Sequence, residues 1–310
     1  MNMKFTLRQI AVFVAVAQAQ SVSRAAQALA MSQSAASTAL GELERLYSTQ
    51  LFDRVGKALR VNEQGLALLP QAVELLDRAQ AIDSVLAGRS GFGCLRVGAT
   101  LTIGNYLAPL ILADYLQRHA QSSAQLLVRN TATIIDEVAA YELDLGLIEG
   151  ECAHPDLVVE PWIDDELAVF CAPRHRLVRK SGVRLADLSG EAWIVRERGS
   201  GTRQTLDRAL AARRATIAVR LELEHTEAIK RAVESGLGIG CISRLALREA
   251  VRRGSLIALE TPELDLMRRF NFVWPRRKFQ TAGMRAIVGA CRALTAGVTR
   301  SDQIDLPFIA

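Results

Sequence analysis

The stretch that decides the fold is Ser21–Tyr47, SVSRAAQALAMSQSAASTALGELERLY. Ser21 and Ser23 are placed to cap a short helix ending near Ala30, and Met31-Ser32 makes a tight turn into a second helix. On that helix Ala36, Leu40, Leu43 and Tyr47 form one stripe, while Ser34, Ser37, Thr38, Gly41 and Arg45 fall opposite. The opposite face is small, polar and almost uncharged, unlike a solvated face rich in Lys and Glu. Gly41 in a helix interior costs about 0.5–1 kcal/mol, which makes sense where a backbone must lie close to something. Upstream, Leu7, Ile10, Val14 and Ala17 share a face of an amphipathic helix. Its early lysine, apolar run and Ala17-Gln18-Ala19 mimic a cleaved leader, but Arg8-Gln9 interrupts the approach and the two helices after it need this one as a packing partner. Three short helices in this pattern read as a helix-turn-helix, with the third aimed at the DNA major groove.

The adjoining segment strengthens that reading. LFDRVGKALRVNEQG (51–65) holds two short apolar runs joined across Val55-Gly56-Lys57, a hairpin wing carrying Arg54, Lys57 and Arg60. Residues 1–62 contain seven Lys/Arg against three acids, a net of +4, and the basic residues sit on the wing and flanks. Flanking cations for phosphates and a neutral helix face for bases is the division of labour DNA recognition uses. The expected contacts are Gln33, Ser34, Ser37 and Thr38 on the helix, with Arg54, Lys57 and Arg60 on the wing. Asn62 then caps a long helix to about Ala87, expected to bend or to thin by one turn at Pro70. Leu66, Leu69, Val73 and Leu76, continued by Ile82 and Leu86, form a seam suited to the same helix of a second chain. GRSGFG (88–93) has linker composition.

From Cys94 onward strand-like runs alternate with helical ones. LRVGA, AQLLVRN and DLGLIEG are separated by NYLAPLILADYLQRHA and IIDEVAAYEL; AWIVRE, AVRLELE and LGIGCIS are separated by GTRQTLDRALAARR and TEAIKRAVESG. The alternation predicts mostly parallel sheet with crossover helices, in two lobes, and a cleft at the carboxyl ends of the strands. The loops aimed at that cleft share a chemistry: Thr100 and Thr102; Asn130, Thr131 and Thr133; Gly199, Ser200, Gly201 and Thr202; and Thr226. Each is a helix start rich in hydroxyls, and several converging starts make an anion site that needs no metal. RERGSGTR (196–203) is the sharpest of them, although no Gly-Lys-Ser/Thr comes after it as in a nucleoside-triphosphate loop. Glu149 beside the cleft would repel an anion unless it pairs with Arg196, Arg198 or Arg203, or is protonated.

The bulk composition sets limits. In 310 residues, half are hydrophobic and 23% charged, so a folded protein with several cores is expected rather than a disordered chain. The net charge of +5 permits a polyanionic partner. Five dispersed cysteines without a Cys-x-x-Cys argue against a disulfide framework or zinc site and suit a reducing, cytoplasmic compartment. His119, His154, His175 and His225 are scattered, with no metalloprotease helix and no nucleophile elbow, so neither an enzyme nor a cofactor or metal is expected. No apolar run reaches the length of a membrane span. A secreted two-lobed solute-binding protein would explain the lobes but not the first ninety residues.

FTLRQIAVFVAVAQAQSVSRAAQALAMSQSAASTALGELE with LFDRVGK after it resembles the amino-terminal module of LysR-type transcriptional regulators. TIGNYLAP, LGLIEGEC, EPWIDDELAVF, RERGSGTR and EAIKRAVESGLGIGCIS are similar to the CysL/YeiE branch, associated with sulfur assimilation and sulfite. Thr38 stands where many members carry arginine, so base preference there does not carry over. The resemblance implies a winged helix-turn-helix DNA-binding domain (1–62), a linker and dimerisation helix (63–90), and an α/β two-lobed effector domain resembling periplasmic binding proteins. Lobe 1 is expected over 91–161 and 268–300, and lobe 2 over 162–267. It further implies promoter-bound homotetramers built as dimers of dimers on double-stranded DNA, contact with RNA polymerase, and a small anionic effector, sulfite or a small organic carboxylate, between the lobes.

Overall fold

The computed structural model describes residues 3–55, 58–86 and 92–306. Thr6 opens the first helix: its hydroxyl accepts from the Gln9 amide and the Gln9 side chain accepts from the Thr6 amide, a reciprocal cap for α1 (Leu7–Ala19). Ser21 and Ser32 cap α2 (Val22–Ala28) and α3 (Gln33–Tyr47) through the amides of Arg24 and Ala35. Ile10, Phe13, Val16, Ala25, Ala36, Leu40 and Leu43 close a core among the three helices. Leu7 and Tyr47, placed by periodicity on the buried stripes, are instead half exposed, because each sits at a helix end beyond the reach of its neighbours. Phe13 meets Phe52 edge-on at 5.7 Å and so attaches the wing, β1 (Phe52–Val55) and β2 (Ala58–Val61), an antiparallel pair with Asp53 opposite Arg60.

Asn62 accepts from the Gly65 amide and starts α4 (Glu63–Leu86), which runs through Pro70 as one helix. The expected seam does not stay on one face. Leu69, Ala72 and Val73 are buried in the same chain's own helical core, whereas Leu66, Ile82 and Leu86 are exposed. In a 24-residue helix with apolar residues all round, the chain's own α1 takes one stripe and leaves Leu66, Ile82 and Leu86 outside.

The rest of the chain builds one long sheet. Its strands are β3 (Cys94–Ala99), β4 (Ser123–Val128), β5 (Leu145–Glu149), β6 (Leu157–Cys171), β7 (Ala192–Arg196), β8 (Ala218–Leu223), β9 (Ile239–Ser243), β10 (Ile257–Leu259) and β11 (Met267–Pro275). They lie in the order β4-β3-β5-β11-β6-β9-β7-β8, with β10 beside β6. Around them pack α5 (Leu101–Tyr106), α6 (Ala108–Arg118), α7 (Thr131–Ala139), α8 (Leu185–Leu188), α9 (Gly201–Ala212), α10 (Thr226–Glu234), α11 (Arg244–Arg252) and α12 (Ala282–Leu294). The single helix read over 105–120 is two, because Pro109 starts α6 afresh.

The sheet is mixed rather than mostly parallel. Strands β4, β3 and β5 are parallel, as are β8, β7 and β9, but β11 and β6 run antiparallel between the two groups. Strand β6 pairs with β11 through Glu166 and with β9 from Leu167, so the change of lobe falls there rather than at the 161/162 boundary. Lobe 1 also continues past residue 300, since Ile304 and Leu306 are buried in its core. Each lobe keeps apolar clusters on both sheet faces. Among the described residues no helix is long and apolar enough to cross a membrane, and no cluster of ligands suits a metal.

Candidate DNA-binding face and interlobe site

Helix α3 turns Gln33, Ser34, Ser37, Thr38, Gly41 and Arg45 outward and Ala36, Leu40 and Leu43 inward. A Cβ built on Gly41 would meet no atom of the chain within 4 Å. The glycine is therefore not required by internal packing, and its face stays open to a close approach from outside. Between α3 and the wing lies an open groove of about 930 Å³, with Ser21, Ser23, Gln33, Ser37, Gly41 and Arg54 on its walls. Arg54 and Arg60 are exposed on the wing strands; Lys57 lies outside the described residues. Its lining is mostly uncharged, with Arg54 as the cation and Asp53 and Glu44 as the acids. Glu44 accepts from the Leu51 amide, which commits it to fixing the wing.

The interlobe site is built the opposite way. Strands β6 and β11 carry the doublets Asp164-Asp165 and Arg268-Arg269, and their register places Arg268 across from Asp165 and Arg269 across from Asp164. Because strand side chains alternate, one pair faces inward and the other outward. Arg269 and Asp164 are exposed partners, whereas Arg268 and Asp165 are buried and meet at 2.6 Å. The same guanidinium reaches Glu149 at the end of β5, again at 2.6 Å, and donates to the Thr202 and Thr102 hydroxyls at 3.0 and 3.4 Å. Glu149 accepts from the Thr102 backbone amide at 2.7 Å, at the start of α5. Asp165 accepts from the hydroxyls of Ser243 (2.7 Å) and Ser301. Residues of both lobes thus share one buried arginine.

Burial would push the Glu149 carboxyl up, but the Arg268 and Arg196 charges and the Thr102 amide together hold it below the ordinary carboxylate range. Asp165 goes the other way: burial raises it, with the nearby Glu149 charge adding to that, against Arg268 and two hydroxyls. Two carboxylates on one arginine leave the centre short of positive charge.

Of the anticipated effector residues, Thr102 and Thr202 bond to Arg268, and Thr131 and Gly201 meet beside Glu149; the others take other roles. Thr100 precedes α5, but its hydroxyl lies toward the Leu147 carbonyl and caps nothing. Asn130 caps α7 through the Thr133 amide. The Thr131 hydroxyl donates to the Glu149 carbonyl and accepts from the Gly201 amide at 3.0 Å, across the lobes. Gly199 takes a left-handed φ of 89°, and its carbonyl accepts from the Ala132 amide. A Cβ on Gly201 would stand 2.1 Å from the Glu149 carbonyl oxygen, so this close crossing requires glycine. The Ser200 hydroxyl accepts from the Thr202 amide. Thr226 is buried as the first residue of α10 while His225 holds the cap position, so it does not cap the helix, and it makes no hydrogen bond to the Arg268 centre among the described residues.

Among the described residues Glu149 forms no ion pair with Arg196, Arg198 or Arg203, although the Arg196 charge helps to lower its carboxyl. Arg196 pairs with Glu197 at 2.7 Å, Arg203 with Asp207 and Glu222, and Arg198 is exposed. Its partner is Arg268, the residue that local reading missed. The available signal was the pair of doublets, DD and RR, inside otherwise apolar strands.

A helical DNA-reading module joined to two α/β lobes with a polar centre between them defines a ligand-responsive DNA-binding regulator. Residues 7–66 match the family described as bacterial regulatory helix-turn-helix protein, lysR family, and residues 89–296 match the LysR substrate binding domain. The chain belongs to the LysR family of transcriptional regulators. It is 40% identical over 289 residues to the regulator YeiE of Escherichia coli, covering 93% of this chain and 98% of YeiE. Full-length OxyR of Pseudomonas aeruginosa superposes with a TM-score of 0.73 at 22% identity, over 94% of this chain and 96% of that one, a likeness of fold. The regulatory domain of Synechocystis CcmR, solved in complex with 2-PG, has a TM-score of 0.62 at 29% identity, over 66% of this chain and 98% of that domain. The matched families and relatives are regulators rather than enzymes.

Proposed function

We propose that this regulator responds to a small anion that enters between the lobes and takes the place of the Glu149 carboxylate at the Thr102 amide and Arg268. One observation carries the reading: helix starts from both lobes converge on a buried point that already holds a carboxylate. An arriving anion would free Glu149 and exchange the contacts that join the lobes, so its leverage equals its preference for one arrangement over the other. The effector-contacting residues proposed are Thr100, Thr102, Asn130, Thr131, Gly199–Thr202 and, by its place at a helix start in lobe 2, Thr226. Sulfite is the ligand proposed, on the resemblance to the CysL/YeiE branch. A small organic carboxylate is the second reading, favoured by the carboxylate that now occupies the position.

Calorimetric titration of the full chain with sulfite, sulfate, thiosulfate, acetate and a neutral amide decides between them. Sulfite binding that Thr202→Ala weakens roughly ten- to hundredfold, the loss of one charge-assisted hydrogen bond, supports the first reading. Binding of acetate alone supports the second, and no oxyanion or carboxylate binding overturns both. On DNA, the same reading assigns base contacts to Gln33, Ser34, Ser37 and Thr38 and phosphate contacts to Arg54, Lys57 and Arg60. Promoter occupancy by a dimer of dimers uses the outward apolar residues of α4 and the adjoining apolar groove of about 390 Å³ lined by Phe5, Tyr47, Leu68 and Leu75.

A further inference from the structure

We propose that lobe 1 is seated on the chain's own DNA-binding unit, and that α7 ties this seat to the interlobe cleft, so that the state of the cleft sets the posture of the reading helix. The seat itself is independent of any ligand; only its regulatory use rests on the cleft being an effector site.

The seat has three contacts. Tyr141 occupies the position just past the C-terminus of α7, with φ of 61°, where glycine or asparagine is usual. The Glu142 amide closes the turn on the Glu137 carbonyl. The Tyr141 side chain is buried in the core of the DNA-binding unit, in one cluster with Ile10, Val14 and Leu69, and its carbonyl accepts from the Gln18 side chain of α1 at 2.5 Å. Lys278, in the turn after β11, has a side chain only 1% exposed and lies 2.9 Å from Asp77 of α4 and 3.0 Å from Asp144 of lobe 1. Arg96 completes that group by pairing with Asp144. The Arg78 guanidinium of α4 stacks over the neighbouring Phe279 ring at 4.5 Å. Lysine is rarely buried to this degree unless paired. An aromatic held in a left-handed turn and a lysine shared by carboxylates of two units mark a specific junction.

The other end of α7 is in the cleft. Thr131, its first residue, accepts from the Gly201 amide of lobe 2, and the Ala132 amide donates to the Gly199 carbonyl. A helix of nine residues, about 13 Å long, therefore has lobe 2 at one end and the DNA-binding unit at the other. Ser34, Ser37 and Thr38 remain exposed while the seat is made. Docking thus orients the reading face and does not cover it.

Hydrogen–deuterium exchange on the full chain without ligand tests this, with exchange in 192–196 of lobe 2 as the internal measure of global stability. Tyr141→Gly keeps the left-handed turn and removes the ring; Asp77→Asn removes one carboxylate from Lys278. Both should speed exchange in 14–20 and 276–281 by roughly fivefold or more, and Tyr141→Phe should not. Thr131→Val, which breaks the contact at the far end of α7, should speed exchange in 199–202 and also in 14–20. Wild-type rates in 14–20 and 276–281 for both Tyr141→Gly and Asp77→Asn would overturn the seat, and a Thr131→Val effect confined to 199–202 would overturn the coupling. Sulfite is the probe for the second stage: changes at 199–202 and 14–20 together support the coupling, and changes at 199–202 alone overturn it. A silent 199–202 would count against sulfite as effector, while the ligand-free comparison still decides the seat.

Discussion

The face of α3 and the centre between the lobes are both polar, yet they are opposites in physical state. Ser34, Ser37 and Thr38 stand exposed on a helix whose buried side is already complete. Thr102, Glu149, Asp165, Thr202 and Arg268 are buried, and each is bonded to others of the set. A surface that leaves its polar groups open can accept a partner without disturbing the fold. A centre that has satisfied itself can accept one only by exchange, and that exchange is what lets binding change the structure.

The largest expected effect breaks the second region. Arg268→Met would leave Glu149 and Asp165 buried beside each other without their cation, and should destabilise the protein by about 3–5 kcal/mol in denaturant unfolding. A loss below about 1 kcal/mol would mean that the centre is open to water. Gly201→Ala comes next: the added methyl would strike the Glu149 carbonyl, so a cost of about 1–3 kcal/mol is expected, together with separation of Thr131 from Gly201. X-ray scattering of wild type and variant reports whether the lobes part.

Acid titration sharpens the contrast inside the centre. The Glu149 carboxyl is lowered in the fold from an ordinary value of 4.5, so it contributes stability above that pH and loses it as pH falls through the folded value. Asp165 is raised from 3.8, so its contribution has the opposite sign and declines as pH rises from 3.8 through its folded value. Unfolding free energies of Glu149→Gln should therefore fall less steeply below pH 4.5 than those of wild type. Asp165→Asn should steepen the wild-type rise of stability with pH just above pH 3.8. Equal slopes for all three proteins would contradict the assignment.

At the reading face the same types of substitution should not destabilise the fold. Gly41→Ala meets open space, so it should stabilise α3 by about 0.5–1 kcal/mol while weakening DNA binding. The pairing of Gly41 with Gly201 makes this the cleanest comparison, since one methyl stabilises one helix and disrupts the other. The smallest effect belongs to Thr38→Ala, within about 0.5 kcal/mol of wild-type stability, yet it should shift the site logo in a binding-site selection. Arg54→Ala should instead reduce the salt slope of DNA binding by about one unit for every sequence.

How much of each region was legible depends on the range of the interactions that make it. Helix periodicity and serine caps act within a few positions of one another, so the three helices and the strands of the wing were legible except at helix ends, where Leu7 and Tyr47 have nothing to cover them. The stripe of α4 was ambiguous because a helix apolar on several faces does not announce which one its own chain will take. In the lobes, the alternation of strand and helix exposed the threonine-rich helix starts. It did not show that Thr102's amide is already bonded, because the acceptor is 47 residues away.

The sequence by itself determined the two kinds of module and the outward polar face of α3, because these depend on local spacing and strand–helix order. Only the tertiary structure decided that Glu149 answers to Arg268, that β6 and β11 run antiparallel between the lobes, and that Tyr141 is buried in the DNA-binding unit. Those facts depend on register between strands about a hundred residues apart and on a docking of separate units, and neither leaves a periodic trace in the chain.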